Sequence, residues 1–276
     1  MIVSEALAGA AERLEAAGVD SPSVDAEWLL AHVLGLSRTE LQVESTREVS
    51  DEEQRSFAAS VERRLRREPL AYVLGEWGFR RLTLAVDPRA LVPRPETEVV
   101  VERCLALLSG IEEPRVLDVG VGSGAIALAI ADEHPGARVL GVDSSEGALA
   151  LAGENRDRAG VNGRVALAHG DLLAGVSGPF ELVVSNPPYV DPAEWEALQP
   201  EIRLYEPRSA LVGAEVAEQI ARAAWPLLAS SGWLVLEVGD GQAGPLARSL
   251  GELGYDEVAI TPDLAGRERV VEGRRQ

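Results

Sequence analysis

The chain has 276 residues, of which 46% are hydrophobic and 26% charged, values that exclude a disordered polypeptide and leave room for one large core or two modest ones. A single cysteine, Cys104, excludes an internal disulfide and a cysteine-rich metal site, and no apolar run approaches the ~20 residues that span a bilayer. The net charge of −19 disfavours extended contact with phosphate backbones, and because all 26 basic residues are arginine, Schiff-base and lysine-nucleophile chemistry is excluded.

The opening stretch, "MIVSEALAGAAERLEAAG", carries acids early and lacks the basic flank and apolar block of a secretory signal, so a cytoplasmic address is expected. Helical punctuation comes next. Ser21-Pro22 reads as an N-cap with proline at the first helical position, and Gly35 closes the helix that holds Trp28, Leu29, Leu30 and Val33. Ser37 with Glu40, and Ser50 with Glu53, form two capping boxes. These signals predict a small helical domain over residues 1–70. The local basic stripe "ERRLRRE" (62–68) reads as a solvated helix face alternating with Glu62 and Glu68.

Residues 71–95 read as a β-hairpin linker, with Phe79, Leu82, Leu84 and Val86 in two-residue alternation. Pro88, Pro93 and Pro95 stiffen the chain beyond the hairpin, and Glu96-Thr97-Glu98 places acids in the first turn of a helix through Leu107. A rigid connector and a fixed wall beside an active site both fit this segment; on the second reading, Arg94 and Glu96 bind substrate.

From Arg115 the texture becomes strand and helix in alternation. "RVLDVG", "ARVLGVD", "RVALAHGD", "PFELVVSN" and "GWLVLEVG" are strands; "GAIALAIADEH", "SEGALALAGENRDRAG" and "EVAEQIARAAWPLLA" are helices. After a helix beginning near Gln242, "DEVAITPD" and "RERVVEGRR" are two last strands antiparallel to each other. Residues 96–276 are therefore expected to form an α/β domain, a seven-stranded doubly wound Rossmann-like sheet.

In "LDVGVGSGA", Gly120, Gly122 and Gly124 lie between the first sheet strand and the next helix, where glycine permits a tight turn and close approach to a ligand. Asp143 ends the second strand, placed to accept hydrogen bonds from both ribose hydroxyls of a nucleotide-like ligand, which suits a nicotinamide cofactor and S-adenosylmethionine equally. Asp118 ends the first strand, where it can orient the loop or meet an amino group, and Asp171 after "HG" can meet an adenine amine. Three acids at consecutive strand ends favour a cationic ligand, although each is also a candidate helix cap.

The fourth strand delivers "SNPPYV" to the same edge. Asn186 offers a carbonyl acceptor, while Pro187 and Pro188 have no N–H to give. A planar –NH₂ group can donate one hydrogen to Asn186 and the other to the Pro187 carbonyl, with Tyr189 stacked on its flat face. This aims a nitrogen whose lone pair is delocalised and stabilises the charge that grows on it during attack on a methyl sulfonium. His32, His134 and His169 form no triad or metal set with other residues.

With these residues in place, the chain resembles the release factor glutamine-N5 methyltransferase family over nearly its whole length: the helical start, "PLAYVLGEWGF", "LVPRPETE", "LDVGVGSGAIALA", "GVDSS", "VVSNPPYV", "YEPRSALVG", "GWLVLEVG" and "RERVV" fall in the family's order. The resemblance implies S-adenosyl-L-methionine as donor, held by Gly120, Val121, Gly122, Ser123, Gly124, Asp143, Asp171, Leu172 and Asn186, with Asp118 beside them. It implies that Asn186, Pro187, Pro188 and Tyr189 bind the glutamine of the Gly-Gly-Gln loop of peptide chain release factors, and that the helical domain grasps that partner. Val121 stands where threonine or cysteine is common, and Leu172 where some members carry an aromatic residue. A monomer acting on protein, without direct nucleic-acid or membrane contact, is expected. An adenine-N6 methyltransferase is the nearest alternative, since a flipped exocyclic amine suits the same acceptors; a nicotinamide oxidoreductase and a non-catalytic binding module stand further off.

Overall fold

Helix caps legible in the sequence start the first elements. The computed structural model describes residues 1–276 and divides into two units, Met1–Glu76 with Gln199–Tyr205, and Trp77–Leu198 with Glu206–Gln276. In the first, α1 (Val3–Ala16), α2 (Pro22–Leu34), α3 (Arg38–Val43), α4 (Asp51–Leu65) and α5 (Leu70–Leu74) surround Val3, Leu14, Leu29, Leu30, Leu41 and Phe57. Both capping boxes form: Ser37 Oγ accepts from Glu40 N at 3.2 Å and Glu40 Oε2 from Ser37 N at 2.8 Å, with 3.3 and 2.8 Å for Ser50 and Glu53. Gly35 ends α2 at φ 65°; Ser21 precedes it without a side-chain cap bond, so Pro22 at the first position carries that start.

The stripe at 62–68 departs from the solvated face expected of it. Arg64 is only 6% exposed. Its Nε donates to Asp25 Oδ2 at 2.7 Å and its Nη2 lies 2.8 Å from Glu201 Oε1, while Arg67 holds both oxygens of Glu201 at 2.7 Å. Carboxylates remote in the chain thus consume these guanidinium donors, a pairing that local pattern does not encode. Burial is the leading influence on Asp25 and raises its carboxyl despite Arg64.

The second unit opens at Trp77, inside the hairpin of β1 (Glu76–Phe79) and β2 (Leu82–Ala85), and continues with α6 (Thr97–Leu107). The alternating elements are β3 (Arg115–Val119), α7 (Ala125–Glu133), β4 (Arg138–Asp143), α8 (Glu146–Ala159), β5 (Val165–His169) and β6 (Phe180–Ser185). After α9 (Pro200–Tyr205), which belongs to the helical unit, come α10 (Val216–Ala224), β7 (Leu228–Glu237), α11 (Ala243–Glu252), β8 (Asp256–Pro262) and β9 (Glu268–Arg274). The helix expected across "WPLLA" stops at Ala224, because Pro226 lacks the N–H that a continuing helix needs; one 3₁₀ turn leads directly into β7.

The seven strands order as β5-β4-β3-β6-β7-β9-β8, parallel from β5 to β7, with β9 antiparallel to both neighbours. This is the doubly wound, Rossmann-like α/β sheet the sequence predicts. Side chains alternate between its faces: Val116, Leu182 and Val184 pack in one core with α6 and α7, while Leu117, Val183 and Leu236 pack in the other with α10 and α11. Registers Val119↔Val142, Val142↔Ala168 and Val119↔Ser185 align the carboxyl ends of four strands along one edge. No helix is long and apolar enough to cross a membrane.

One buried side chain ties three segments of this unit. Asn155 on α8, fully buried, accepts from Ala85 N at 2.6 Å and donates to Ala85 O at 3.0 Å and Ser123 O at 2.9 Å. Asn155→Ala strands one donor and two acceptors, so urea unfolding is expected to show a loss of about 2–4 kcal/mol; stability within ~0.5 kcal/mol of the parent would show that the three groups find other partners.

Candidate functional site

The aligned strand ends frame a cavity of about 320 Å³, at the lower end of the roughly 300–1,000 Å³ typical of small-molecule sites. Its floor is the glycine loop between β3 and α7. Gly120, Gly122 and Gly124 have φ of 74°, 55° and 89°, values that L side chains rarely adopt. Gly120 N and Val121 N both donate to Val142 O, at 2.8 and 3.0 Å, which ties the loop to the end of β4. Val121 is buried against Gly141, where a Cβ would lie 2.7 Å from Val121 Cγ2; the bare backbone of β4 makes room for the branched side chain.

Asp143 organises the other side. Its Oδ2 accepts from Gly122 N and its Oδ1 from Ser145 N, each at 2.9 Å. A carboxylate offers about four acceptor positions, so two remain for vicinal hydroxyls. Asp118, expected at the ligand, is 1% exposed and outside the cavity lining. Its Oδ2 accepts from Ala127 N at 3.0 Å, capping the first turn of α7, and its Oδ1 is buried without a partner. Burial pushes this carboxyl up to about 7, with Asp143 adding repulsion. Through Oδ2 the side chain takes the helix-capping part that the sequence also allowed.

Of the remaining loop and strand-end residues, Ser123, Asp171 and Leu172 line the cavity; Gly124 does not. Asp171 is exposed, and Leu172 is half-buried with a left-handed φ of 50°. Asn186 and Pro188 line the opposite wall, whereas Pro187 is buried behind it. The Tyr189 ring packs on Gly239, where a Cβ would lie 3.0 Å from Cδ2, and its carbonyl accepts from Gln242 Nε2 at 2.9 Å. Burial raises the Tyr189 phenol further above neutrality, helped by nearby Glu237.

Of the proline-rich segment, Arg94 lines the cavity and donates to Glu206 Oε1 at 2.5 Å, and Glu206, buried, also accepts from Val92 N at 3.3 Å. Glu96 lies outside the lining and pairs with Arg267 at 3.0 Å. Sequence reasoning missed Arg89, Thr97, Ser144 and Ser145, all of which line the cavity. Ser145 has a local signal, because a serine three residues before Ala148 caps α8 and its Oγ accepts from Ala148 N at 3.2 Å. Thr97 has none, since its partners lie far along the chain.

A seven-stranded sheet with one antiparallel insertion, a glycine loop and an acid at the next strand tip is methyltransferase architecture. Solved structures share it: a methyltransferase from Pyrococcus furiosus (TM-score 0.51, 20% identity, 71% of this chain and 90% of that one) and the hMettl16 catalytic domain in complex with MAT2A 3′UTR hairpin 6 (TM-score 0.59, 15% identity, 70% and 75%). Two family models match, the PrmC N-terminal domain over residues 5–75 and the methyltransferase small domain over 98–201. Among curated relatives, the release factor glutamine methyltransferase of Deinococcus radiodurans is 44% identical, with 100% of this chain and 99% of that one covered, and that of Caulobacter vibrioides is 40% identical, with 98% and 95% covered. The chain is a methyltransferase. It belongs to the release factor glutamine methyltransferase family.

The cavity suits S-adenosyl-L-methionine: the glycine loop lets backbone approach closely, Asp143 keeps free acceptor positions, and apolar Val121 and Leu172 line the walls beside these polar groups. Because Asp143 also fixes the loop, Asp143→Ala is expected to weaken S-adenosyl-L-homocysteine binding by ~10²-fold in calorimetry, the equivalent of two charge-assisted hydrogen bonds. An unchanged affinity would remove Asp143 from the donor site.

Proposed function

We propose that the protein transfers a methyl group from S-adenosyl-L-methionine to the side-chain amide nitrogen, N5, of the glutamine in the Gly-Gly-Gln motif of peptide chain release factors. The observation that carries this reading is the place of Asn186: it directly follows the strand beside β3 and lines the same cavity as the glycine loop and Asp143. An acceptor for amide hydrogens therefore borders the donor site.

S-adenosyl-L-methionine supplies an electrophilic methyl on a sulfonium. The residues of the chain do the rest. Gly120 to Gly124 and Asp143 hold the donor, with Asp171 and Leu172 at its adenine end. Asn186 Oδ1 accepts one hydrogen of the glutamine –NH₂ and the Pro187 carbonyl the other, while Pro188 and Tyr189 restrict the plane of the amide. Fixing both hydrogens would point the nitrogen lone pair at the methyl group and stabilise positive charge as the N–C bond forms and the S–C bond breaks, its electron pair staying on the sulfur of S-adenosyl-L-homocysteine. The methylated nitrogen is acidic and loses its proton after transfer, so the site needs no strong base.

The matched helical unit is the surface for the release factor, and Arg94 and Glu96 extend substrate contact along the proline-rich segment; on this reading the helical unit recognises, the hairpin after it connects and the sheet-bearing unit catalyses. The enzyme acts in the cytoplasm, where translation ends, as a monomer. A net charge of −19 and the carboxylate partners of Arg63, Arg64 and Arg67 argue against a nucleic-acid substrate.

Incubated with labelled donor and a purified release factor, the protein is expected to methylate the glutamine nitrogen, located by peptide mass spectrometry, and Asn186→Ala to lower the rate at least ~100-fold. Label on DNA or RNA adenine with none on the release factor would overturn the assignment.

A further inference from the structure

Asn186 can serve as an acceptor only if its amide is turned the right way, since the two ends of a carboxamide have nearly the same shape and opposite hydrogen-bonding character. Its –NH₂ end starts a chain of hydrogen bonds that runs inward to two buried side chains. Asn186 Nδ2 donates to Thr97 Oγ1 at 3.2 Å, and Thr97 Oγ1 donates to Glu237 Oε2 at 2.7 Å. Thr97 is 4% exposed in the first turn of α6, and Glu237 is 1% exposed at the end of β7. Because Ser185 pairs with Leu236, Asn186 and Glu237 follow one another off adjacent strand ends, with Thr97 reaching both from α6.

We propose that Thr97 and Glu237 are positioning residues that set the polarity of the Asn186 amide, presenting its carbonyl oxygen to the substrate –NH₂. The inference rests on the acceptor role given to Asn186 above. Ionised Glu237 only accepts, so it takes the Thr97 hydroxyl proton in a hydrogen bond. The Thr97 oxygen is then left as an acceptor, which the Asn186 –NH₂ satisfies. Oδ1 of Asn186 consequently faces away from Thr97. Protonation of Glu237 reverses the logic: the acid donates to Thr97, the hydroxyl proton is released toward Asn186, and the amide gains a reason to turn its –NH₂ outward.

Burying a carboxylate that has no ion pair is costly, which sets Glu237 apart from buried acids such as Glu206 and Glu272, each paired with an arginine. Charged neighbours face it from several elements. Burial pushes the Glu237 carboxyl up to about 7; the Thr97 hydroxyl, Arg269 on β9 and Arg94 oppose this, while Glu96 at the start of α6 adds to it. The Tyr189 phenol also faces it and is neutral in this range. Ionised Glu237 is the productive form, so the rate is expected to rise with pH through this region.

Thr97→Val keeps the shape and removes the hydroxyl; Thr97→Ser keeps the hydroxyl. With a purified release factor as acceptor, T97V is expected to lower kcat by ~10–100-fold with S-adenosyl-L-homocysteine affinity within about twofold of the parent, and T97S to stay within about threefold in kcat. The rise of kcat with pH near 7 should be present in the parent and smaller in Glu237→Gln, whose side chain does not titrate, any remainder belonging to Asp118. Parental kcat in T97V, a matching loss of donor affinity in T97V, or an unchanged pH limb in E237Q would each overturn the proposal. An active Asn186→Ala variant would instead refute the acceptor reading, whereas inactive N186A beside fully active T97V refutes only the relay.

Discussion

The carboxylate of Asp143 holds two loops with one side chain, and the geometry of the donor cavity depends on that. By accepting from Gly122 N and Ser145 N it fixes the turn after β3 to the turn after β4. The parallel register that sets Val119 beside Val142 brings the two turns within reach. Positive φ at three glycines lets the first turn bend sharply, and the paired bonds from Gly120 N and Val121 N to Val142 O secure its base. Asp118 completes the arrangement from below, fixing where α7 starts and leaving the cavity to groups that can meet a ligand.

The opposite wall has a different chemical character. The donor side is a glycine turn whose N–H groups bond to Val142 O and Asp143, whereas the end of β6 is followed by an amide and two prolines. Methyl transfer to a carboxamide is limited by a nucleophile with little basicity, so a site rich in acceptors gains more from alignment than from proton removal. The fold supplies that wall with few cross-links. Val190 N donates to Leu211 O at 2.8 Å and Gly213 N to Val190 O at 3.2 Å, so the chain after the motif is secured by "ALVG" and the motif keeps its place.

Legibility in the sequence followed the range of the interactions. Capping boxes, the Pro22 start, the seven strands and the glycine loop are specified by residues a few positions apart, and reading along the chain finds them. Asn186 stood out for a related reason: its neighbours are prolines, so the shortage of donors is visible locally. What pattern could not provide was pairing across the chain. Arg64 looks like any surface arginine until Asp25 and Glu201 close on it, and nothing beside Asp118 in the chain says that one of its oxygens caps α7 at Ala127 N. Thr97 and Glu237 come from the start of a helix and the end of a strand, joined only once the sheet order has placed β6 beside β7.

The packing of Val121 on Gly141 has a consequence for how such a sequence can diverge. A β-carbon at 141 would stand 2.7 Å from one methyl of Val121 and 3.1 Å from Leu167, so the space is filled already from the loop side. Position 121 is thereby linked to a residue on the next strand, and each limits what the other can become. A side chain at 141 therefore needs room from two neighbours, Val121 on the loop and Leu167 on β5, which ties the choice of residue at one strand position to two others.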